Sequence, residues 1–202
     1  MTRLLPTYAL ADLVVEPLTA WLWPAFEDLL DQGGPAGQCW CMYWRIGAEY
    51  RRRLAEENRE AFREVVSKPP PQGLLALHDG VAVGWCQVTP RGAVPAIEGP
   101  WRLRRVDDVP VWSITCFYVR TGHRRRGIMS ALVSAAVDLA RSAGAHAVEA
   151  YPIDDAVSPS STSTGYASTF TRAGFVEVAR RSPERPIMRF PLADEPGRDR
   201  AT

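Results

Sequence analysis

The sequence predicts a mixed α+β domain, a central mixed sheet with flanking helices, and three stretches carry that expectation. Two apolar runs, residues 73 to 77 and 81 to 88, are separated by His78, Asp79 and Gly80. Asp-Gly between apolar runs signals a hairpin, because both turn residues tolerate positive φ. Residues 111 to 119 form an apolar run that enters a turn rich in arginine and glycine and then an alanine-rich helix, after which residues 146 to 151 can return as a strand. Such a crossover makes its two strands parallel. Residues 176 to 178 and 187 to 190, around Pro183 and Pro186, read as a closing strand pair. At 202 residues and 46% hydrophobic the chain can build one sizeable core. A single domain is therefore expected over residues 1–193, with a polar tail at 194–202.

The remaining elements follow in order. Residues 8 to 15 read as a first strand, although Ala11 and Asp12 interrupt its alternation. A helix follows, with Thr19 as its N-cap, Leu22, Phe26, Leu29 and Leu30 on one face, and Pro24 tolerated in the first turns; Gly33, Gly34 and Pro35 end it. Residues 39 to 45 are the most aromatic window of the chain. Two readings of it stand: a core segment of Trp, Met and Cys, or a pocket wall made by Trp40, Tyr43 and Trp44. Residues 48 to 67 predict a helix with Tyr50, Leu54, Phe62 and Val65 or Val66 in one apolar stripe. The pairs Arg52–Glu56 and Arg53–Glu57 are spaced to support it, and the glutamates cancel the field of the arginine run. Residues 89 to 110 are a long connection carrying Glu98, Trp101, Asp107 and Asp108, either a lid or a surface crossing. In the alanine-rich helix Met129, Leu132, Val133, Ala136, Val137 and Ala140 share a face, and Gly144 can cap its end. Residues 158 to 164 look flexible and precede a short helix ending near Ala173.

Charge and cysteine usage narrow the function classes. The formal net charge is +1, so no global field favours nucleic acid or an anionic membrane, and any phosphate affinity must be local. No apolar run approaches the ~20 residues of a membrane span. Cys39, Cys41, Cys86 and Cys116 are too few for a disulfide framework, and no signal-peptide pattern opens the chain, so a reducing cytoplasm is expected. Cys39 and Cys41 are one residue too close for the common zinc pair, and His78, His123 and His146 lie far off in sequence, so no metal is expected.

The turn between the apolar strand and the alanine-rich helix carries the chemistry. A helix opening there aims unpaired N–H groups and the positive end of its dipole at one point. Gly127 lets backbone approach a phosphate, and Arg124, Arg125 and Arg126 add charge, so a polyphosphate is the expected ligand. A nucleotide P-loop would need Lys and then Ser or Thr where Ile128 and Met129 stand, and no G-x-G-x-x-G is present. A helix start dressed with solvated arginines is the plainer alternative.

Arg124, Gly127 and Met129 occupy the three fixed places of the turn of the GNAT acetyltransferases: Gln or Arg, two free positions, Gly, one free position, then Gly or Ala. The chain resembles that family, with Met129 departing from the small residue usual there. The flanks match too, through the strand ending in Phe117, Tyr118 and Val119 and through Gly174-Phe175, and the resemblance spans roughly residues 8 to 190. It implies the GNAT acyltransferase fold and acetyl transfer from acetyl-CoA to the amine of a small acceptor by direct attack in a ternary complex. Backbone groups of Phe117, Tyr118 and Val119 would line the pantetheine arm. N–H groups of Arg124, Arg125, Arg126, Gly127, Ile128 and Met129 would hold the pyrophosphate, and Trp40, Tyr43 and Trp44 would wall the acceptor pocket.

Catalytic side chains are less defined. Many relatives carry a glutamate base where Ser113 stands, and a tyrosine acid where Phe170 stands. Tyr166, one helical turn earlier, could present its phenol instead; a water chain from Glu98, Asp107 or Glu149 could serve; or positioning alone could suffice. Absence of the usual acid and base also keeps open an acetyl-CoA-binding sensor without turnover. Nothing in the sequence sets an oligomeric state, and a homodimer stays open.

Overall fold

The structure is a computed structural model that describes residues 12–31, 35–154 and 163–192. Among them seven strands form one sheet: β1 (Leu13–Pro17), β2 (Leu74–His78), β3 (Val81–Pro90), β4 (Val111–Val119), β5 (Ala147–Ala150), β6 (Val176–Ser182) and β7 (Arg185–Pro191), in spatial order β1-β2-β3-β4-β5-β7-β6. The β4–β5 pair is parallel and the others are antiparallel, as the hairpin and crossover signals require. Asp79 and Gly80 turn the β2–β3 hairpin with φ of 50° and 76°. β1 is found where the predicted first strand ends and runs two residues past it; residues 8 to 11 and the tail 194–202 lie outside the described residues.

One face of the sheet is covered by α5 (Ile128–Ser142) and α6 (Ala167–Arg172). Ile128, Leu132, Val133, Ala136, Val137 and Ala140 of α5 are buried against Val83, Cys86, Ile114, Val148 and Ala150. Contact is closest at Gly84, where an added methyl would lie 2.6 Å from Ile128 Cγ2 and 3.2 Å from Leu132 Cδ1. The opposite face carries α1 (Trp23–Leu30), α2 (Pro35–Cys39), α3 (Tyr43–Ile46) and α4 (Ala55–Val66). There Phe26, Phe62 and Trp40 pack around Trp85, whose Nε1 donates to Cys41 Sγ at 3.0 Å.

Two local expectations need correction. The N-cap of α1 is Leu22, with no side-chain cap bond, not Thr19. The helix predicted over 48 to 67 is broken: Gly47–Arg51 is a 3-10 turn, Leu54 is extended and 68% exposed, and α4 begins at Ala55. The buried Asn58 amide causes the break by donating to the carbonyls of Gln38 and Tyr50, which folds the 3-10 turn back against α4. Arg52 accordingly pairs with Glu49, and Glu57 accepts from the Leu54 N–H, so neither predicted i,i+4 pair forms.

Since α5 rests on Gly84 without space for a side chain, Gly84→Ala should cost about 1–3 kcal/mol of stability by overpacking. Chemical denaturation checks this, and an unchanged midpoint would mean that the α5 contact gives way freely.

Candidate functional site

β4 and β5 part in mid-sheet. Their pairing runs from Val111↔Ala147 to Ile114↔Ala150; β5 then ends, while β4 continues to Val119 with only β3 beside it. Thr115 is the extra residue of a bulge, since Ile114 faces Val88 and Cys116 faces Gln87. A strand residue turns its N–H and C=O to one side and the next residue turns them to the other. The Thr115 carbonyl accepts from Trp44 Nε1 at 3.0 Å, and the Val119 carbonyl accepts from Arg124 Nε at 3.4 Å, so these residues face the gap. Phe117, two residues from each, faces it too. Tyr118 does not: Arg120 N–H bonds to Val83 at 3.0 Å, which puts Tyr118 in the hydrogen-bonded register with Trp85. Of the three residues expected along the pantetheine arm, Phe117 and Val119 turn their backbone groups to the gap and Tyr118 turns its own to β3.

The turn that follows is held at its start by Arg120, which donates to the Ala82 carbonyl at 2.9 Å and pairs with Asp28. Positive φ at Gly122, Arg125 and Gly127 (88°, 59° and 78°) winds the backbone into the start of α5. Gly127 is the N-cap and has no side chain to satisfy the first turn; the first helical bond is from Ala131 to Gly127, leaving the N–H groups of Ile128, Met129 and Ser130 without helical acceptors. Arg124 and Arg125 are exposed beside them and Arg126 is half-buried. The imidazole of His123 is held below its ordinary value, by burial first and then by the charges of Arg126 and Arg120, which marks a positive field. Met129 does not crowd the turn. Its thioether lies beside Gly165, where an added methyl would stand 3.3 Å from Met129 Sδ, so the long side chain fills the joint between α5 and the segment entering α6.

The aromatic window splits between two environments. Trp40 is 5% exposed and packs on Trp23 and Phe26, so it belongs to the core and not to a pocket wall. Positive φ at Trp40 and Cys41 (45° and 59°) turns the chain, and Tyr43 and Trp44 come out half-buried over the sheet with ring centroids 4.5 Å apart. Trp44 packs with Ile97, Leu103, Tyr151 and Ile187 beside the parted strands.

Beneath this layer lies a buried polar network. Ser113 Oγ is 2.9 Å from Tyr151 Oη, which donates to Glu149 Oε2 at 2.9 Å. Arg91 Nη1 reaches the same oxygen at 3.1 Å, and Arg189 reaches Oε1 at 2.6 Å. Arg91 also binds Glu98 and Arg189 binds Asp107. The Tyr151 phenol is pushed well up, by burial first and by the Glu149 charge second, so it stays protonated. Ser113 is fully buried with its hydroxyl engaged by Tyr151, which favours a packing role over a catalytic one. Glu98, Asp107 and Glu149 are all bound by arginines, and the loop over 89 to 110 is pinned by Arg91, Arg181 and Arg189 rather than free to open as a lid. Tyr151, Arg91 and Arg189 carried no sequence signal, because each gains its role from partners tens of residues away.

Tyr166 is the extended N-cap of α6, half-buried and bridged to Ile153, so it does not share a helical face with Phe170. Phe170 is fully buried among Phe117 and Phe175. All four cysteines are free, and burial pushes the Cys39 thiol up to about 11. Among the described residues no three His, Cys, Asp or Glu side chains stand together to hold a metal ion, and no helix is long and apolar enough to cross a membrane.

Two outcomes follow from the network. Ser113→Ala should leave turnover within about twofold while costing about 1 kcal/mol of stability through the lost hydrogen bond; a large kinetic loss at normal stability would restore Ser113 to the chemistry. Arg189 holds the Asp107 carboxyl below the ordinary carboxylate value. A lowered folded-state pKa gives stability that is present above the unfolded value and lost as pH falls through the folded one. Asp107→Asn should therefore lower Tm at neutral pH, with the gap from the unaltered protein closing below about pH 4. Parallel melting curves across pH check the sign.

Residues 15–160 match the profile of the acetyltransferase (GNAT) family. No curated protein is similar enough in sequence to match. Among solved structures, yncA of Salmonella typhimurium, determined with its cofactor acetyl-CoA, superposes with a TM-score of 0.53 at 15% identity, covering 94% of this chain and 99% of that one. The Drosophila melanogaster polyamine N-acetyltransferase gives 0.55 at 14%, covering 89% and 98%. The GNAT domain of S. lividans PAT gives 0.54 at 19%, covering 88% and 89%. At these identities the likeness is one of fold.

Proposed function

The chain belongs to the GNAT acetyltransferase family, and from that premise we propose that it moves an acetyl group from acetyl-CoA to the amine of a small acceptor by direct attack. The carrying observation is the parting of β4 and β5 with the uncapped start of α5 at its mouth. Acetyl-CoA would place its pyrophosphate on the N–H groups of Gly127 to Ser130, within the charge of Arg124, Arg125 and Arg126. Its pantetheine arm would run along the backbone groups of Phe117 and Val119. The amine nitrogen then bonds to the thioester carbonyl carbon, the carbon–sulfur bond breaks, and the amine loses a proton. The gap-facing N–H of Phe117 suits the oxyanion that develops on the carbonyl oxygen.

Trp44 and Tyr43 form the acceptor wall in this reading. The base is solvent, because the arginines that neutralise Glu98, Asp107 and Glu149 leave none of them available, and positioning can supply up to ~7 to 11 kcal/mol. Tyr166 is the proton donor to the departing thiolate, supported by its place next to Gly165, which touches Met129 at the start of α5. Relatives of similar fold include an agmatine N-acetyltransferase and a polyamine N-acetyltransferase, which favours a small amine as acceptor. The acetyl-CoA sensor is supported by one observation: Ser113 and Phe170 are both sealed from solvent, so neither usual position offers an acid or base.

Acetyl-CoA should raise Tm by mass action, and Gly127→Val should abolish the shift, since φ of 78° strains a branched residue and its side chain blocks the approach of phosphate. Release of free CoA thiol with any of a panel of amines separates the enzyme from the sensor. Tyr166→Phe should lower kcat at least about tenfold with acetyl-CoA affinity unchanged, as expected for a lost general acid. A smaller loss would leave positioning as the source of rate.

A further inference from the structure

The arginines on the face of the sheet opposite α5 are not alike. Arg189 and Arg91 meet carboxylates: Glu149 and Asp107 for the first, Glu149 and Glu98 for the second. Arg185, at the start of β7 on the same side of that strand as Ile187 and Arg189, meets none among the described residues. It is half-buried, and its bonds are long ones to neutral acceptors, the Tyr151 carbonyl at 3.3 Å and Thr164 Oγ1 at 3.5 Å. Burial, and then the like charge of Arg102, hold its guanidinium below the ordinary arginine value. Arg102, also half-buried, makes no hydrogen bond or ion pair among the described residues; exposed Glu184 is near Arg185 but forms no ion pair with it. Arg102 stands on the 3-10 turn Trp101–Leu103, whose Leu103 packs with Ile187 of β7, so the two arginines belong to one corner of the fold. Like charges that are partly desolvated are costly unless an anion joins them.

The pair flanks the proposed acceptor wall. Leu103, next to Arg102, and Ile187, two residues past Arg185, pack with Trp44 and Tyr151, and Tyr43 is near enough to act on the charge of Arg185. Trp44 in turn donates to Thr115 where the strands part. We infer that Arg185 and Arg102 recognise an oxyanion on the acceptor, so that the acceptor is an amine carrying a carboxylate, of the amino-acid kind, rather than a polyamine. Planar guanidinium groups suit a carboxylate, and the rings of Tyr43 and Trp44 suit an apolar side chain beside it. The inference rests on the acetyltransferase reading of the site.

The test compares L-leucine and L-phenylalanine with their carboxamides and with agmatine and spermidine, scored by thiol release. The amino acids should exceed their carboxamides at least about tenfold in kcat/KM, as for a buried polar recognition group. Arg185→Gln should erase that preference through a raised KM for the amino acid, leaving KM for acetyl-CoA unchanged, whereas Arg185→Lys should keep part of it. Arg102→Gln should act in the same direction, and it decides the matter if Arg185→Gln fails to fold. Equal rates with acid and carboxamide, or a preference for polyamines that neither substitution moves, would overturn the inference while leaving the acetyltransferase reading intact. If no amine releases thiol although acetyl-CoA binds, the acetyltransferase reading fails instead. Calorimetric titration of the CoA-bound protein with the amino acids then decides: binding lost in Arg185→Gln upholds the oxyanion site, and no binding overturns it.

Discussion

The buried carboxylate of Glu149 organises the face of the sheet opposite α5. It stands on β5 in register with Ser113 of β4, is 1% exposed, and takes bonds from Arg91, Arg189 and Tyr151. A carboxylate buried that deeply survives only with its lone pairs satisfied and its charge matched. Each of its arginines arrives from a different part of the chain and brings a second acid with it, Glu98 for Arg91 and Asp107 for Arg189. The long connection before β4 is thereby tied to both β5 and β7. Removing one member would leave an uncompensated buried charge, so the network holds as a unit.

That network lies where the two parallel strands still pair, and the gap begins two residues beyond Ser113. The two features are complementary. A firm joint through Ser113, Tyr151 and Glu149 on one side of Ile114 lets β4 and β5 diverge on the other side without the sheet coming apart. The divergence frees the backbone groups of Phe117 and Val119, and the bulge at Thr115 rotates the strand so that its carbonyl meets Trp44. Arg120 and Gly84 then fix the turn and α5 against β3, so that the open N–H groups of the helix stay beside the open edge of the strand.

Much of this frame was legible in the sequence because it depends on local rules. Asp79 and Gly80 announced their turn by residue type, the crossover followed from two periodicities joined by a glycine, and Gly127 stood where a helix start needs positive φ. What stayed hidden depends on distant partners. Trp40 and Trp44 look equivalent four residues apart, but the positive φ of Trp40 and Cys41, neither of them glycine, sends one ring into the core and the other over the sheet. The break at Leu54 was hidden because the cap there is the Glu57 carboxylate on the Leu54 N–H, with no Ser, Thr, Asp or Asn at the N-cap to announce it, and because the Asn58 amide bonds to distant Gln38 as well as Tyr50. In the sequence Glu149 is only one of three carboxylates that could serve through water, and Arg91 and Arg189 resemble any surface arginine.

The same distinction separates two uses of arginine. In a chain whose basic residues are nearly all arginine, composition says nothing about which of them meets a ligand. Partnering does. Arg91 and Arg189 are consumed by acids of the fold, and their charge is spent on holding the sheet. Arg124 and Arg125 stay exposed beside unbonded helix N–H groups, where an anion gains from charge and dipole together. Arg185 falls between these cases, half-buried like the structural pair but bound to no acid among the described residues, like the exposed pair. Positive charge therefore stands at both ends of the line that runs from the α5 turn along β4 to Trp44. Acetyl-CoA and an acceptor laid end to end along that line would be anionic at the two far ends and would meet in the middle, where the backbone of Phe117 lies open.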